Sequence, residues 1–338
     1  MPIGWFRQLA RGDFYARGAH LQEKADLLRL YLLTGARSGW PDPSAPHDFD
    51  SLPPSNRQRE VVRARIHLQA VALLGRWYRE RPPPLPPGTL TALPINNSQT
   101  DLDFGHDAAV GEAQRRAFGF KVAVGPSQAG PGAGSGVFLR GSVPPGSLLL
   151  FYPGVSYHPA DMLLLPGGTR AFEGNEHLMA RFDRSIIDAS AAALRTLPHE
   201  ALGCPLTTAH TVNHPPAGLS ANVMPVPVDW DQSVPDQLLT MLPNVSYQRN
   251  SSKQQLLLTG GAEAAVPRSV VDVFSASLAD SIRQTEPEGG AVLRGLAFVS
   301  TRRVCDEELY LNYRLNPHHG YPSWYTPVNP EEDARRWQ

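Results

Sequence analysis

The chain has 338 residues, 41% hydrophobic and 19% charged, enough to bury a sizeable core in one large domain or two ordinary ones. A net charge of −1 argues against a protein that grips nucleic acid mainly through phosphates. Two cysteines, Cys204 and Cys305, supply neither a disulfide framework nor a CxxC zinc motif, and no run of about eighteen apolar residues predicts a membrane-spanning helix.

The first eighteen residues, MPIGWFRQLARGDFYARG, carry arginines and aromatics but also Asp13, and lack an apolar signal core. An intracellular protein, nuclear or cytoplasmic, is the expectation, with a mitochondrial presequence as the other reading of this segment. Residues 21–39 have a helical pattern with Gly35 and Gly39 near the end. A stronger helix follows over 55–81, capped by Ser55 or Asn56, with Val62, Ile66, Ala70, Leu73 and Trp77 on one face. RPPPLPP then ends it, because proline lacks the N–H that would continue the ladder. The opposite face sets seven arginines against two glutamates over 55–81. Such a run reads as a solvated face, or alternatively as a surface for an acidic partner. Residues 1–81 therefore form a helical N-terminal region, and 82–116, with the acidic stretch SQTDLDFGHD, a linker and loop.

Beyond it the character changes to strands: FKVAVG, GVFLRG, SLLLFYPGVSY, RFDRSIIDAS, ANVMPVPV, LAFVSTRRV and ELYLNYR. Each is short, rich in β-branched or aromatic residues, and bounded by Gly, Pro, Asn or Asp. No amphipathic helix of ten or more residues separates most of them, which disfavours an alternating βαβ fold and a parallel sheet. The class predicted is mainly β, built from small sheets, with a helical N-terminal region. The 33 prolines and 29 glycines are scattered as punctuation, with no repeat at a fixed period.

Gly132, Gly134 and Gly136 form a G-x-G-x-G loop, a spacing seen at nucleotide and cofactor sites. A doubly wound fold needs a helix to open after such a loop, yet VFLRGSVPPG reads as a strand. A class I methyltransferase built on these glycines would require that helix. His210 and His214 stand four apart, but Pro215 and Pro216 exclude the helix that would put both on one face. No metal is expected there, and neither cysteine has the surroundings of a nucleophile.

The order of the pieces then carries a resemblance. A Gly-x-Gly-Val-Phe strand start, an Asn-His segment running to Ala-Asn-Val, and FVSTRRVCDEELYLNY resemble a SET domain. The stretch FGFKVAVGPSQAGPGAGSGVFLRGSVPPGSLLLFYPGVSY is most similar to the SET domain-containing protein nine family. The resemblance covers roughly 117–328, with 248–268 and 283–291 read as insertions and 329–338 as a C-terminal tail. It implies a SET-like β-clip fold of several small sheets with a pseudo-knot-like C-terminal crossing.

The resemblance also implies roles. Gly134, Ser135, Gly136 and Val137 would line the amino-acid end of S-adenosylmethionine with main-chain groups, as absent Cβ atoms permit. Asn213 and His214 match the family's cofactor-contacting Asn-His, and Asn222 its second asparagine. Tyr313 matches the catalytic tyrosine, with Tyr310 and Leu311 on the same strand. Leu311 stands where the family often has an aromatic that limits how many methyl groups fit. Trp324, with Tyr321 and Tyr325, would cover the adenine in place of a cysteine-rich zinc cluster. The activity implied is methyl transfer to the lysine side chain of a protein substrate, with a tyrosine hydroxyl and backbone carbonyls ringing the methyl. A SET-like binding or scaffold protein with an inactive pocket is the alternative.

Overall fold

The computed structural model describes residues 17–36, 52–82, 108–165, 171–247 and 293–337. The first sixteen residues, the acidic loop at 98–107 and both insertions lie outside them.

Two helices open the described chain, α1 (Arg17–Ala36) and α2 (Ser55–Glu80). Along α2 the buried side chains are Gln58, Val62, Ile66, Ala70, Leu73, Leu74 and Trp77, the stripe a period of 3.6 requires. Burying each large apolar side chain contributes about 1.5–3 kcal/mol. The cap differs from expectation. Pro54 occupies the N-cap in extended geometry, with no side-chain cap bond, and Ser55 is already helical. Gln58 ties the helix start to the preceding chain by donating its Nε2 to the Pro53 carbonyl at 2.7 Å.

A third helix, α3 (Ala108–Phe118), occupies the end of the stretch read as linker and runs two residues past it, and its Phe118 stacks on Trp77 at 5.7 Å. Strands β1 (Lys121–Pro126) and β2 (Ser135–Arg140) form an antiparallel hairpin that pairs Gly125 with Gly136. Next come β3 (Ser142–Val143), β4 (Leu148–Tyr152), β5 (Gly154–Tyr157) and α4 (Pro159–Leu164). Strands β6 (Leu178–Ala180) and β7 (Ile186–Asp188) precede α5 (Ala191–Leu194) and α6 (His199–Leu202). The chain continues through β8 (Val223–Trp230), β9 (Asn244–Ser246), β10 (Leu293–Ser300) and β11 (Val304–Cys305) to α7 (Pro330–Arg336).

These strands make four small sheets: β1-β2, β4-β10-β8, β11-β3 and β6-β7-β5-β9. All pairings are antiparallel except β5 with β9. Among the described residues the fold is therefore mixed α/β with small sheets and no barrel, rather than mainly β. Helices recur after the N-terminal region, because short stretches such as AAVGEAQRRAF bury one face against neighbours that sequence periodicity does not show.

The helical region packs directly on the sheets. Gln69 of α2 donates to the Gly146 carbonyl and accepts from the Leu148 N–H. Gly146 has φ +74, and a Cβ there would overlap the Leu33 carbonyl of α1. The core runs between, with Leu150, Phe151, Phe298 and Ile66 fully buried.

One expected strand is not regular. ELYLNYR makes only isolated bridges, Phe138 to Glu308, Asn213 to Tyr310 and Val223 to Leu311. Its three bridges go to three different neighbours, so no continuous ladder forms and Tyr310, Leu311 and Tyr313 share an extended segment rather than a strand.

Candidate functional site

The segment around His210 takes one 3₁₀ turn over Ala209–Thr211 and leaves it at Val212 in extended geometry. His210 and His214 therefore share no helix face. Both ring nitrogens of His214 are engaged by main chain: Tyr313 N–H donates to Nδ1 at 3.3 Å, and Nε2 meets the Thr326 carbonyl at 2.7 Å. Since Nδ1 accepts, the proton sits on Nε2, and the ring is a neutral clamp between two segments. Burial lowers its pKa, which favours that neutral form. Its face stacks on Tyr325 at 4.3 Å. His210 has no hydrogen-bond partner on either ring nitrogen among the described residues, and burial pushes its pKa down to about 3. Among the described residues no three of His, Cys, Asp and Glu gather as metal ligands.

Asn213 donates its Nδ2 to the Ser135 carbonyl at 2.8 Å, fastening this segment to the start of β2. Its own carbonyl accepts from the Leu311 N–H at 2.9 Å. On the other side of the same peptide group, the Tyr310 carbonyl accepts from Asn222 and Val223 N–H at 3.1 and 3.2 Å. The 310–311 peptide is thus gripped between the two ends of the 213–223 segment. Asn222 is fully buried and fully used. Its Oδ1 accepts from the Tyr310 N–H at 2.7 Å, and its Nδ2 donates to the Glu308 carbonyl at 2.7 Å.

Tyr313 emerges from this grip with its hydroxyl donating to the Val212 carbonyl at 2.9 Å. Burial raises its pKa, so the phenol keeps its proton at neutral pH. Trp324 stands edge-on to it at 6.3 Å between centroids. The next residue, Arg314, adopts φ +49 and places its guanidinium on Asp26 of α1 at 2.5 and 2.9 Å and on Glu332 of α7 at 2.9 Å. The turn that carries Tyr313 is therefore tied to the first and last described helices.

A cavity of about 2200 Å³ opens against these residues. That exceeds the ~300–1,000 Å³ typical of a small-molecule pocket, so it can take more than one group. Gly134, Ser135, Asn213, His214, Tyr313 and Trp324 all line it. Gly134 has φ +66 with open space where a Cβ would be, and Trp324 is 43% exposed. Gly136 and Val137 lie behind that wall. Val137 is fully buried in the core. Gly136 is glycine for a different reason, since a Cβ there would overlap the Glu308 carboxylate. That buried carboxylate accepts from Ser127 Oγ at 2.6 Å, Gln128 N–H at 2.6 Å and Tyr310 Oη at 2.8 Å, locking the glycine loop to the 308–311 segment.

Tyr152 also lines the cavity and was not singled out from the sequence. It ends β4, and Gly154 beyond it has φ +134, which breaks SLLLFYPGVSY, read from the sequence as one strand segment, into β4 and β5. Burial, then Asp188 and Tyr313, raises its pKa, so a second neutral phenol faces the same space. The helix that a class I methyltransferase needs after Gly136 is replaced by strand β2. Cys204 is buried, with its thiol pushed up to about 12, which makes it unreactive. No family model matches this chain, and no curated protein matches it.

Proposed function

We propose that the chain is an S-adenosylmethionine-dependent protein-lysine N-methyltransferase. One observation carries the reading: the Tyr313 hydroxyl and Val212 carbonyl meet at 2.9 Å on a cavity also lined by Gly134, Ser135, Asn213 and His214. The grip of the 213–223 segment on the 310–311 peptide supports a SET-like fold with a pseudo-knot-like crossing. It brings the glycine loop, the Asn-His pair and the tyrosine to one place although about 180 residues separate the first from the last.

The wall suits the methyl donor. Gly134 leaves the main chain open to close approach, Asn213 and His214 are fixed by bonds to Ser135 and Thr326, and the Trp324 indole is exposed for stacking. Bound there, S-adenosylmethionine would supply an electrophilic methyl group on a positively charged sulfur. The chain's own part is to hold a lysine amine and keep water out. A phenol that donates its proton still carries lone pairs, so Tyr313 Oη and Val212 O offer neutral acceptor oxygens to amine N–H or polarised C–H groups. Because these dipoles are already fixed by packing, they need no reorganisation when charge moves. A raised phenol pKa keeps Tyr313 a donor rather than a phenolate. Apolar neighbours such as Leu311 limit the space around the amine.

Calorimetric titration with S-adenosylmethionine tests this reading. Saturable binding by the wild type, weakened by Asn213→Ala, is expected. A wild type that does not bind would turn the reading to a scaffold protein with a SET-like fold.

A further inference from the structure

The part of the cavity formed by α1 and α2 has its own charge pattern. Three of the seven arginines that line the whole cavity hold carboxylates: Arg63 on Asp229, Arg181 on Asp183 and Asp229, and Arg314 on Asp26 and Glu332. Arg29 and Arg59 differ. Both are exposed, both line the cavity, and neither has a carboxylate partner among the described residues.

Their placement is defined by neighbours. Arg29 lies one turn from Asp26 on α1, and residues so spaced are about 5–6 Å apart at Cβ. Asp26 in turn grips Arg314, the residue after Tyr313. Arg59 lies over the ring of Phe182 at 5.1 Å, in the turn between β6 and β7. Phe182 is itself 40% exposed, so the cation has an apolar platform and an open outer side. One cation without an ion pair among the described residues thus stands one turn from Asp26 and another at the β6–β7 turn, with apolar Leu27 and Val62 also on the cavity wall. Glu173 and Glu176, which also line the cavity without an ion pair among the described residues, suit the lysine ammonium rather than an acid.

We infer that the α1–α2 wall reads the substrate, and that the preferred protein substrate carries acidic residues flanking the target lysine, paired by Arg29 and Arg59. The inference rests on the lysine methyltransferase reading and gives the N-terminal helices a function within it. Complementary charge of this kind acts on encounter and specificity more than on chemistry.

The test uses three Gly/Ser peptides with one central lysine, flanked by glutamate, glutamine or arginine. Methyl transfer and peptide binding by fluorescence anisotropy are measured for the wild type, Arg29→Gln, Arg59→Gln and Arg59→Glu. The glutamate-flanked peptide should have the lowest KM. Each Arg→Gln change should raise that KM about two- to fivefold, the range of an exposed ion pair, with kcat and cofactor binding unchanged. Arg59→Glu should shift preference towards the arginine-flanked peptide, and high salt should level the differences. Equal KM for the three peptides, or equal losses on all of them in the variants, overturns the inference. If no peptide is methylated yet glutamate-flanked binding still depends on Arg59, the wall stands and the methyltransferase reading fails. If neither transfer nor charge-selective binding is seen, both fail.

Discussion

Asn222 pairs with the main chain of Tyr310 as a neighbouring strand would, its side-chain oxygen standing in for a main-chain carbonyl. Tyr310 N–H donates to Asn222 Oδ1 at 2.7 Å, and Asn222 N–H donates to the Tyr310 carbonyl at 3.1 Å. Because the asparagine is fully buried, nothing else can satisfy the Tyr310 N–H if the side-chain amide is removed. Asn222→Ala should strand the Tyr310 N–H and weaken the Glu308 carbonyl, at about 1–3 kcal/mol for each unsatisfied group. Urea unfolding measures the loss. A change below about 0.5 kcal/mol would remove this pairing from the account of the fold.

Gly136 and Glu308 are coupled in a way that a double-mutant cycle can read. Gly136→Ala drives a methyl into the Glu308 carboxylate and should be destabilising, since the carboxylate is held by three donors and cannot swing aside. Glu308→Ala removes the obstacle while costing its hydrogen bonds. The double variant should be more stable than the sum of the two predicts, by about 1 kcal/mol or more. Strict additivity would mean that Gly136 is glycine for some other reason.

The C-terminal helix carries a pH dependence. Asp333 of α7 is fully buried, and burial raises its pKa to about 6, opposed by the Tyr325 hydroxyl bond and assisted by Glu332. The folded protein then binds this proton more tightly than the unfolded chain, whose carboxyl titrates near 3.8. Stability should therefore fall as pH rises from about 4 through 6, by no more than about 3 kcal/mol for a shift of this size. Asp333→Asn should flatten that slope. A variant whose stability follows the wild-type pH curve would place the ionisation elsewhere.

The strand segments and helices with strong periodicity were legible because a buried stripe leaves its mark on the residues themselves. Val62, Ile66, Ala70, Leu73 and Trp77 announce the inner face of α2, and FKVAVG and GVFLRG announce the first hairpin. Helix α3 was not, since eleven residues with a glycine among them carry little signal of their own. The proline at the α2 cap was missed because Ser55 is the better capping residue by type, and only the backbone geometry shows that it stands one position too late. The 308–313 segment looked like a strand because its residues favour extended chain, whereas its pairing is with three separate partners far away in sequence. At the candidate site, Asn213, His214 and Tyr313 could be picked out by pattern. Arg314, Asp26 and Tyr152 could not, because their roles depend on contacts across as many as 288 positions.

The central claim rests on Tyr313, and one measurement reaches it most directly: transfer of labelled methyl from S-adenosylmethionine to lysine peptides by the wild type and Tyr313→Phe, with cofactor affinity measured for both. The phenylalanine keeps the packing against His214 and Trp324 and removes only the hydroxyl on the Val212 carbonyl. The account predicts similar cofactor binding and a loss of transfer of at least about 10²-fold, the effect of removing one preorganised polar group. Equal turnover by the two proteins would contradict it.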